Sequence, residues 1–132
     1  MKLSKNFSLK EMLVTSTGIA NVPTDKEIEN MKTLAVKILQ PLREYMNRPI
    51  IVTSGYRSYE VNNRVGGSKT SQHMKGEAAD ITAGNRTLNK MMYEFIRDNL
   101  EYDQLINEYN YQWVHVSYTT ERTNRKQELV IK

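Results

Sequence analysis

The longest periodic pattern in the chain runs from Thr24 to Tyr45. Thr24 and Glu27 have capping-box spacing, and apolar residues then recur every three or four positions, as on the buried side of an amphipathic helix. The residues on this side are Ile28, Met31, Ala35, Ile38, Leu42 and Tyr45. Pro41 lies inside the pattern and removes a backbone donor, so the pattern predicts a helix that bends or splits there.

Shorter patterns before and after this helix predict further elements. Ser8 and Glu11 repeat the capping-box spacing and predict a short helix, which we expect to pack over the core. The β-branched run at residues 50–52 predicts a strand. A second strand is predicted at Ala78–Thr82, followed by a second amphipathic helix that ends near Leu100.

The last third of the chain has the patterns of short strands. These are predicted at Gln104–Glu108, Gln112–Tyr118 and Glu128–Ile131, and their short connections favour antiparallel pairing. Residues 63–71 contain two adjacent glycines and are predicted to form an irregular loop. The mixture of helix and strand patterns along the chain predicts an α+β fold with helices packed on one face of a small antiparallel sheet. The length fits a single domain, residues 1–132.

The formal charge of +4 would suit an anionic partner such as a cell wall or a nucleic acid. Because Lys and Arg are scattered and the aromatic residues match no RNA-binding motif, we expect no nucleic-acid partner. Residues 1–14 lack the apolar core of a secretory signal, and no stretch reaches transmembrane length. We therefore expect a chain that starts in the cytoplasm of the producing cell; its oligomeric state stays open.

The chain has two histidines and no cysteine, so a metal site must use imidazole and carboxylate ligands. The loop after His73 can bring its imidazole close to Asp80, which the following strand holds in place. In the predicted strand that contains His115, the alternation of side chains places Trp113, His115 and Ser117 on one face. Ligands of types N, O and N with one position left for water suit catalytic zinc. A hydrogen-bonded structural role is the alternative for either histidine.

One segment resembles a known family signature. It reads SQHMKGEAAD from Ser71 to Asp80, and each fixed position matches the SxHxxGxAxD signature of the M15 peptidases. That group contains zinc D-Ala-D-Ala carboxypeptidases and L-alanyl-D-glutamate endopeptidases. The resemblance extends upstream to SGYRS at 54–58 and VGGS at 65–68, and downstream to WVHVS at 113–117, in the family's order.

The resemblance implies a hedgehog/DD-peptidase-like fold and a bound Zn²⁺ ion. The ligands that it implies are His73, Asp80 and His115. It also implies that Arg57 acts in catalysis and binding by anchoring a substrate carboxylate or the oxyanion, and that Ser71 lies beside the substrate. The guanidinium fork suits either role of Arg57. Outside the GYRS context, Arg57 would be interpreted as a surface residue paired with Glu60 or Glu44.

The general base departs from the family pattern. Many relatives carry an acidic residue three positions before the last histidine ligand, where this chain has Gln112, and a neutral amide cannot accept a proton. We therefore predict Glu108, at the end of the preceding strand, as the catalytic base. A two-residue turn would place it on the face of Trp113 and His115, whereas a three-residue turn would reverse its face. Glu77 is a second candidate for the base, but we interpret it as a surface charge.

Aromatic side chains near these residues offer a surface for a peptide. We predict that Trp113 binds substrate, and Tyr56, Tyr109 and Tyr111 are candidates for the same groove. Packing in the core or at its rim is the alternative for each ring. Asn62 and Asn63 either position the loop before the site or serve turn geometry.

These features together predict a zinc metallopeptidase that hydrolyses the peptide stem of bacterial peptidoglycan. The resemblance fits both removal of a terminal D-Ala and cleavage of the internal L-Ala to D-Glu bond. A phage or prophage lysis enzyme is the expected setting, with action on the wall after release or as part of a virion. The alternative function is a catalytically inactive zinc-containing module that binds the wall or a protein, and Gln112 is its main support.

Overall fold

The computed structural model describes residues 1–132, which form seven strands and five α-helices. The strands are β1 (Lys2–Ser4), β2 (Phe7–Ser8), β3 (Ile51–Ser54), β4 (Ala78–Thr82), β5 (Gln104–Glu108), β6 (Trp113–Ser117) and β7 (Gln127–Ile131). The α-helices are α1 (Leu9–Met12), α2 (Asp25–Leu34), α3 (Gln40–Met46), α4 (Tyr59–Arg64) and α5 (Arg86–Asn99). None of these helices is long and apolar enough to cross a bilayer.

The main sheet has five strands in the order β3-β4-β6-β5-β7. Its first four strands are antiparallel, as predicted, but β7 runs parallel to β5, so the prediction of antiparallel pairing throughout the last third is wrong. Both edges of β6 are occupied by β4 and β5. The connection at residues 118–126 stays at the end of the sheet where β5 begins, so β7 starts beside Gln104 and runs in the same direction as β5.

The two faces of this sheet have different roles because successive side chains alternate between them. One face packs against the helices through fully or almost fully buried side chains. These are Val52, Ala79, Ile81, Leu105, Val114 and Val116. The opposite face carries Asp80, Glu108, Trp113 and His115, which the strand register brings together. The α+β prediction, with helices on one face of the sheet, is confirmed, and four of the predicted site residues lie on the other face.

The helical backbone continues through Pro41, so the predicted long helix does not split there. Between α2 and α3 the chain forms a π-helical segment at Ala35–Leu39, in which the backbone N–H of Gln40 donates to the carbonyl of Ala35. This wider turn accommodates Pro41, which has no backbone N–H to donate. The additional residue in the turn also rotates α3 about its axis, so Met46 is buried and Tyr45 is exposed, against the prediction. Tyr45 stacks on Phe95 at the surface.

Several short elements had no periodic signal in the sequence. The hairpin β1–β2 precedes α1, whose capping box at Ser8 and Glu11 is present as predicted. The helix α4 begins after Ser58 and takes in the first residues of the predicted loop. A 3₁₀ turn at Gln72–Lys75 comes after that loop. Elements this short contain too few residues to show a helical or strand period.

A buried carboxylate fastens the segment between β6 and β7 to the sheet. Asp103 has no exposed surface, and both of its oxygens accept hydrogen bonds from the guanidinium groups of Arg122 and Arg125. Burial opposes ionisation of this carboxyl, but the two arginines outweigh it and hold the pKa of Asp103 below its usual range. The carboxylate therefore orders a segment that has few apolar contacts of its own.

Replacement of Asp103 by asparagine is expected to lower the free energy of unfolding by about 2 kcal/mol near neutral pH. Because the pKa of Asp103 is lower in the folded than in the unfolded chain, its contribution is complete above about pH 4 and is lost at lower pH. Urea unfolding of both proteins at neutral and acid pH measures this. Glu101→Gln, at an exposed neighbour, is the control, and a difference that does not shrink in acid would contradict the assignment.

Candidate metal centre

The two histidines and Asp80 come from three different elements. His73 lies in the 3₁₀ turn, Asp80 is in the middle of β4, and His115 is its direct cross-strand partner in β6. One ligand atom from each residue lies within 4.8 Å of the others. The two imidazole rings meet edge to face with their centroids 5.1 Å apart.

Asp80 is the centre of this group. Its Oδ1 lies 2.9 Å from His115 Nδ1 and 3.4 Å from His73 Nε2. Burial opposes ionisation of Asp80, but the hydrogen bonds to His115 and His73 outweigh it and hold the pKa of the carboxyl below its usual range. Two imidazole nitrogens and one carboxylate oxygen at these separations fit a divalent metal ion, and this donor set suits zinc. These three side chains would hold the ion.

The backbone around His73 determines which of its nitrogens faces Asp80. His73 Nδ1 lies 2.7 Å from the carbonyl oxygen of Gly55, so it carries the proton and leaves the Nε2 lone pair for the metal. The backbone of Arg57 donates to the His73 carbonyl, and the hydroxyl of Ser71 accepts a hydrogen bond from the His73 N–H. The SGYRS and SQH segments therefore hold one another in place.

Arg57 lies beside the metal ligands and not at the surface with Glu60 or Glu44. Its Nη2 is 3.5 Å from Asp80 Oδ2, and its Nε donates to Ser54 Oγ at 3.0 Å. The buried amide of Asn62 lies beside Nη1 at 3.5 Å. These contacts fix the guanidinium at the edge of the site.

Glu108 faces the site, although the turn that places it there has neither two nor three residues. Glu108 pairs directly with Trp113, so the connecting loop has four residues, and both side chains share the face of His115. Residues 109–111 all adopt left-handed φ values, between 54° and 62°. Trp113 Nε1 donates to Glu108 Oε2 at 3.0 Å.

The surroundings of Glu108 favour its protonated form more than water does. Burial raises its pKa above the usual range, and the negative charge of Asp80 acts in the same direction. The hydrogen bond from Trp113 and the two histidines oppose the shift without cancelling it. A carboxyl with a raised pKa is suited to take up a proton and release it again near neutral pH.

One protein-family model matches most of this chain. The family model described as Peptidase M15 matches residues 5–117, which include the three ligands, Arg57 and Glu108. The chain belongs to the peptidase M15 family. The prediction that the chain belongs to this family is confirmed, and so, at the level of the family, is the prediction of a zinc metallopeptidase.

A relative of known activity agrees with this assignment. The zinc D-Ala-D-Ala carboxypeptidase of Streptomyces albus G is 47% identical to this chain over 49 residues. The aligned part covers 36% of this chain and 19% of that protein, so the chain spans about a fifth of the relative's length. The metal in the relative's name and the His–Asp–His group together support the predicted zinc cofactor.

The other candidate residues of this M15 chain have mixed outcomes. Tyr56 is buried, and Tyr111 is half-buried with its ring edge-on against Tyr93. Tyr109 is exposed and packs on Trp113, which leaves this pair as the aromatic surface beside Glu108. Gln112 is exposed in the loop, where its carbonyl accepts a hydrogen bond from Asn89, while its side chain makes no hydrogen bond to the ligands.

The interpretation of Glu77 as a surface charge is wrong. This side chain is 2% exposed and accepts hydrogen bonds from Thr119 Oγ1 and Gln72 Nε2. Glu77 lies directly before β4, and its carbonyl accepts a hydrogen bond from the N–H of Tyr118. This contact holds the residue at the edge of the sheet. Sequence spacing gives no sign of this contact, because Glu77 and Thr119 are 42 residues apart.

Glycines in the family motifs have a packing role that the sequence did not reveal. A Cβ atom on Gly55 would lie 2.5 Å from the carbonyl oxygen of Met12. A Cβ on Gly67 would collide with the side-chain oxygen of Asn62, the residue beside Arg57. Asn62 in turn donates to the carbonyl of Ser68, so it positions the loop, as one of its two interpretations predicted.

Replacement of Gly55 by alanine is expected to weaken zinc binding by about 10- to 100-fold. The added Cβ must move the backbone of Gly55 away from Met12, which displaces the carbonyl that orients His73. Competition with a fluorescent zinc chelator measures the affinity. Gly18→Ala is the control, because its Cβ would meet nothing within 4 Å, although its left-handed φ strains an alanine there. Equal affinities in the two variants would show that the carbonyl of Gly55 does not orient the ligand.

Proposed function

We propose that this M15 chain hydrolyses peptide bonds in the stem of bacterial peptidoglycan. The observation that supports this most directly is the grouping of the His–Asp–His residues, Glu108 and Arg57 at one site, with Asp80, Glu108 and His115 on the same face of the sheet. The name of the Streptomyces relative points to the same class of substrate, since D-Ala-D-Ala is the end of a stem peptide. The proposal includes both removal of a terminal D-Ala and cleavage of the L-Ala to D-Glu bond.

The chemistry divides between the metal and the side chains around it. When bound, zinc polarises the scissile carbonyl and lowers the pKa of a water towards neutrality. Glu108 then accepts a proton from the attacking water and returns it to the leaving amine. Its raised pKa and its fixed hydrogen bond to Trp113 suit both steps. No side-chain nucleophile is required.

Arg57 is assigned to orientation of the substrate and to the oxyanion. Its guanidinium is held by Ser54 and lies beside Asp80, and donors beyond those contacts are available to a substrate oxygen. A preorganised donor of this kind stabilises negative charge that develops on the carbonyl oxygen. Ser71 and Trp113 are assigned to substrate contact: Ser71 lines the cavity next to His115, and Trp113 lies beside the base.

The test is mass spectrometry of the products released from purified peptidoglycan, with and without a zinc chelator. Chelator-sensitive release of D-Ala, or of stem peptides cut at an internal bond, is expected and would identify the bond. Chelated protein to which zinc is returned should regain the activity. No release from walls of several chemical types, despite stoichiometric zinc, would overturn the proposal in favour of an inactive zinc-containing binding module.

A further inference from the structure

A polar cavity of about 520 Å³ opens beside the metal centre. His115 forms part of its wall, and of its 13 lining residues only Ile106 is hydrophobic. Part of the wall comes from Thr119, Arg122 and Arg125, which lie beyond the segment matched by the family model. The volume lies in the range of sites that bind small ligands. The cavity thus adjoins the metal centre and is built in part from residues that lie outside the family match.

One part of the cavity offers acceptors for a cation. The Glu77 carboxylate is almost completely buried, has two neutral donors, and has no cationic side chain within 4.0 Å. The side-chain oxygen of Gln72 is also buried and has no hydrogen-bond partner. A buried carboxylate and a buried acceptor without a partner are both costly unless a donor meets them. A ligand ammonium group supplies up to three such donors.

Another part of the same cavity offers donors for an anion. Arg122 and Arg125 share the single carboxylate of Asp103, so the three side chains carry one positive charge in excess. Their side chains are nearly half exposed, and each guanidinium has N–H groups beyond those bonded to Asp103. Asp103 fixes both groups in place, so a carboxylate can bind without ordering two free side chains.

We propose that this cavity binds an amino-acid zwitterion on the substrate, with its ammonium at Glu77 and Gln72 and its carboxylate at Arg122 and Arg125. The inference rests on the proposed function for the nature of the peptide. In a stem peptide, a free ammonium and a free carboxylate on one carbon occur at the side-chain end of a diaminopimelate residue. A lysine residue in the same position has the ammonium alone. The cavity therefore selects stems with a zwitterionic side chain.

The test uses three synthetic stem pentapeptides that end in D-Ala-D-Ala and differ in the third residue: diaminopimelate, diaminopimelate with its side-chain carboxylate amidated, and lysine. Values of kcat/KM are measured for each, together with affinities from NMR titration of the zinc-loaded Glu108→Gln variant. The wild-type chain is expected to prefer the zwitterionic peptide by about tenfold over both others. The amidated peptide separates this side-chain carboxylate from the carboxylates elsewhere in the stem.

Two variants test the two ends of the cavity separately. Arg122→Gln is expected to bring the preference for the zwitterionic peptide close to one, while Arg125 keeps Asp103 paired. Glu77→Gln keeps an acceptor for Thr119. It is expected to weaken the binding of all three peptides to a similar extent, because each peptide carries the ammonium. Arg97→Gln removes an exposed arginine on α5 and is the control, with the wild-type preference unchanged.

The outcomes distinguish the inference from the proposed function. Equal cleavage of the three peptides by the wild-type chain would overturn the zwitterion site and leave the peptidase intact. If none is cleaved, the proposed function fails, and the NMR titration still decides the cavity. Shifts at Gln72 and Glu77 with all three peptides, together with shifts at Arg122 that need the free carboxylate, support the site, and their absence overturns it.

Discussion

Replacement of His115 by alanine is expected to remove zinc from the protein and to reduce hydrolysis of stem peptides by about 10³-fold or more. His115 supplies one of only three side-chain ligands, and its Nδ1 lies 2.9 Å from the oxygen of Asp80 that would share the metal. No other histidine lies in the chain apart from His73, so no substitute imidazole is available. Metal content by atomic emission and kcat/KM on a peptide substrate measure the two effects.

The appropriate control for His115→Ala is Tyr45→Ala. Tyr45 is an exposed ring on α3, in the helical layer on the far side of the sheet from the metal centre. This variant is expected to keep both zinc and activity. Chelated wild-type protein should match His115→Ala in activity, and zinc should restore the former only. Full activity of His115→Ala would show that the reaction does not use this metal centre.

The bounds of a strand could be predicted where the residues of that strand and its adjacent turns determine them. The bounds of β4 and β5 agree with the sequence patterns, because alternation and adjacent turn residues are local signals. The direction of β7 is not local. It depends on the path of residues 118–126, which Asp103 fastens beside the start of β5. The exposure of Tyr45 likewise depends on the π-helical turn, which a regular period cannot anticipate.

The metal ligands were predictable because few residue types can bind zinc and this chain has few of them. Two histidines, a nearby aspartate and the family motif identify the group. The residues that support it were harder to find. His73 uses the carbonyl of Gly55, 18 positions away, and a backbone acceptor can come from any residue type. The burial of Glu77 depends on a contact with Thr119 across the sheet edge, which has no signal in either segment.

Replacement of Glu108 by glutamine is expected to lower kcat by about 10²- to 10⁴-fold while zinc content stays unchanged. Glutamine keeps an oxygen that can accept the hydrogen bond from Trp113, so the structure is retained and only the proton acceptor is lost. Glu108 is not one of the ligand group. Steady-state kinetics and metal analysis on the same preparation separate these effects. A variant without zinc would identify Glu108 as a structural support of the site instead of its base.

The pH profile gives an independent measure of the same role. A general base must be ionised, so kcat/KM of the wild-type chain is expected to fall as the pH drops through the pKa of Glu108. Because burial raises that pKa, the fall should occur above the pH at which an exposed glutamate titrates. Glu108→Gln should lack this acidic limb. An unchanged limb in the variant would assign it to another group.

The position of the base can be tested against the family pattern in one further variant. Addition of Gln112→Glu to Glu108→Gln restores an acidic residue three positions before His115, where many M15 relatives have one. Here residue 112 lies in the four-residue loop, exposed, at a cavity lined by Arg86 and Asn110 and not by the metal ligands. The double variant is therefore expected to remain as slow as Glu108→Gln. Recovery of the wild-type rate would show that a carboxylate at position 112 can reach the metal centre. The base would then not have to lie at position 108.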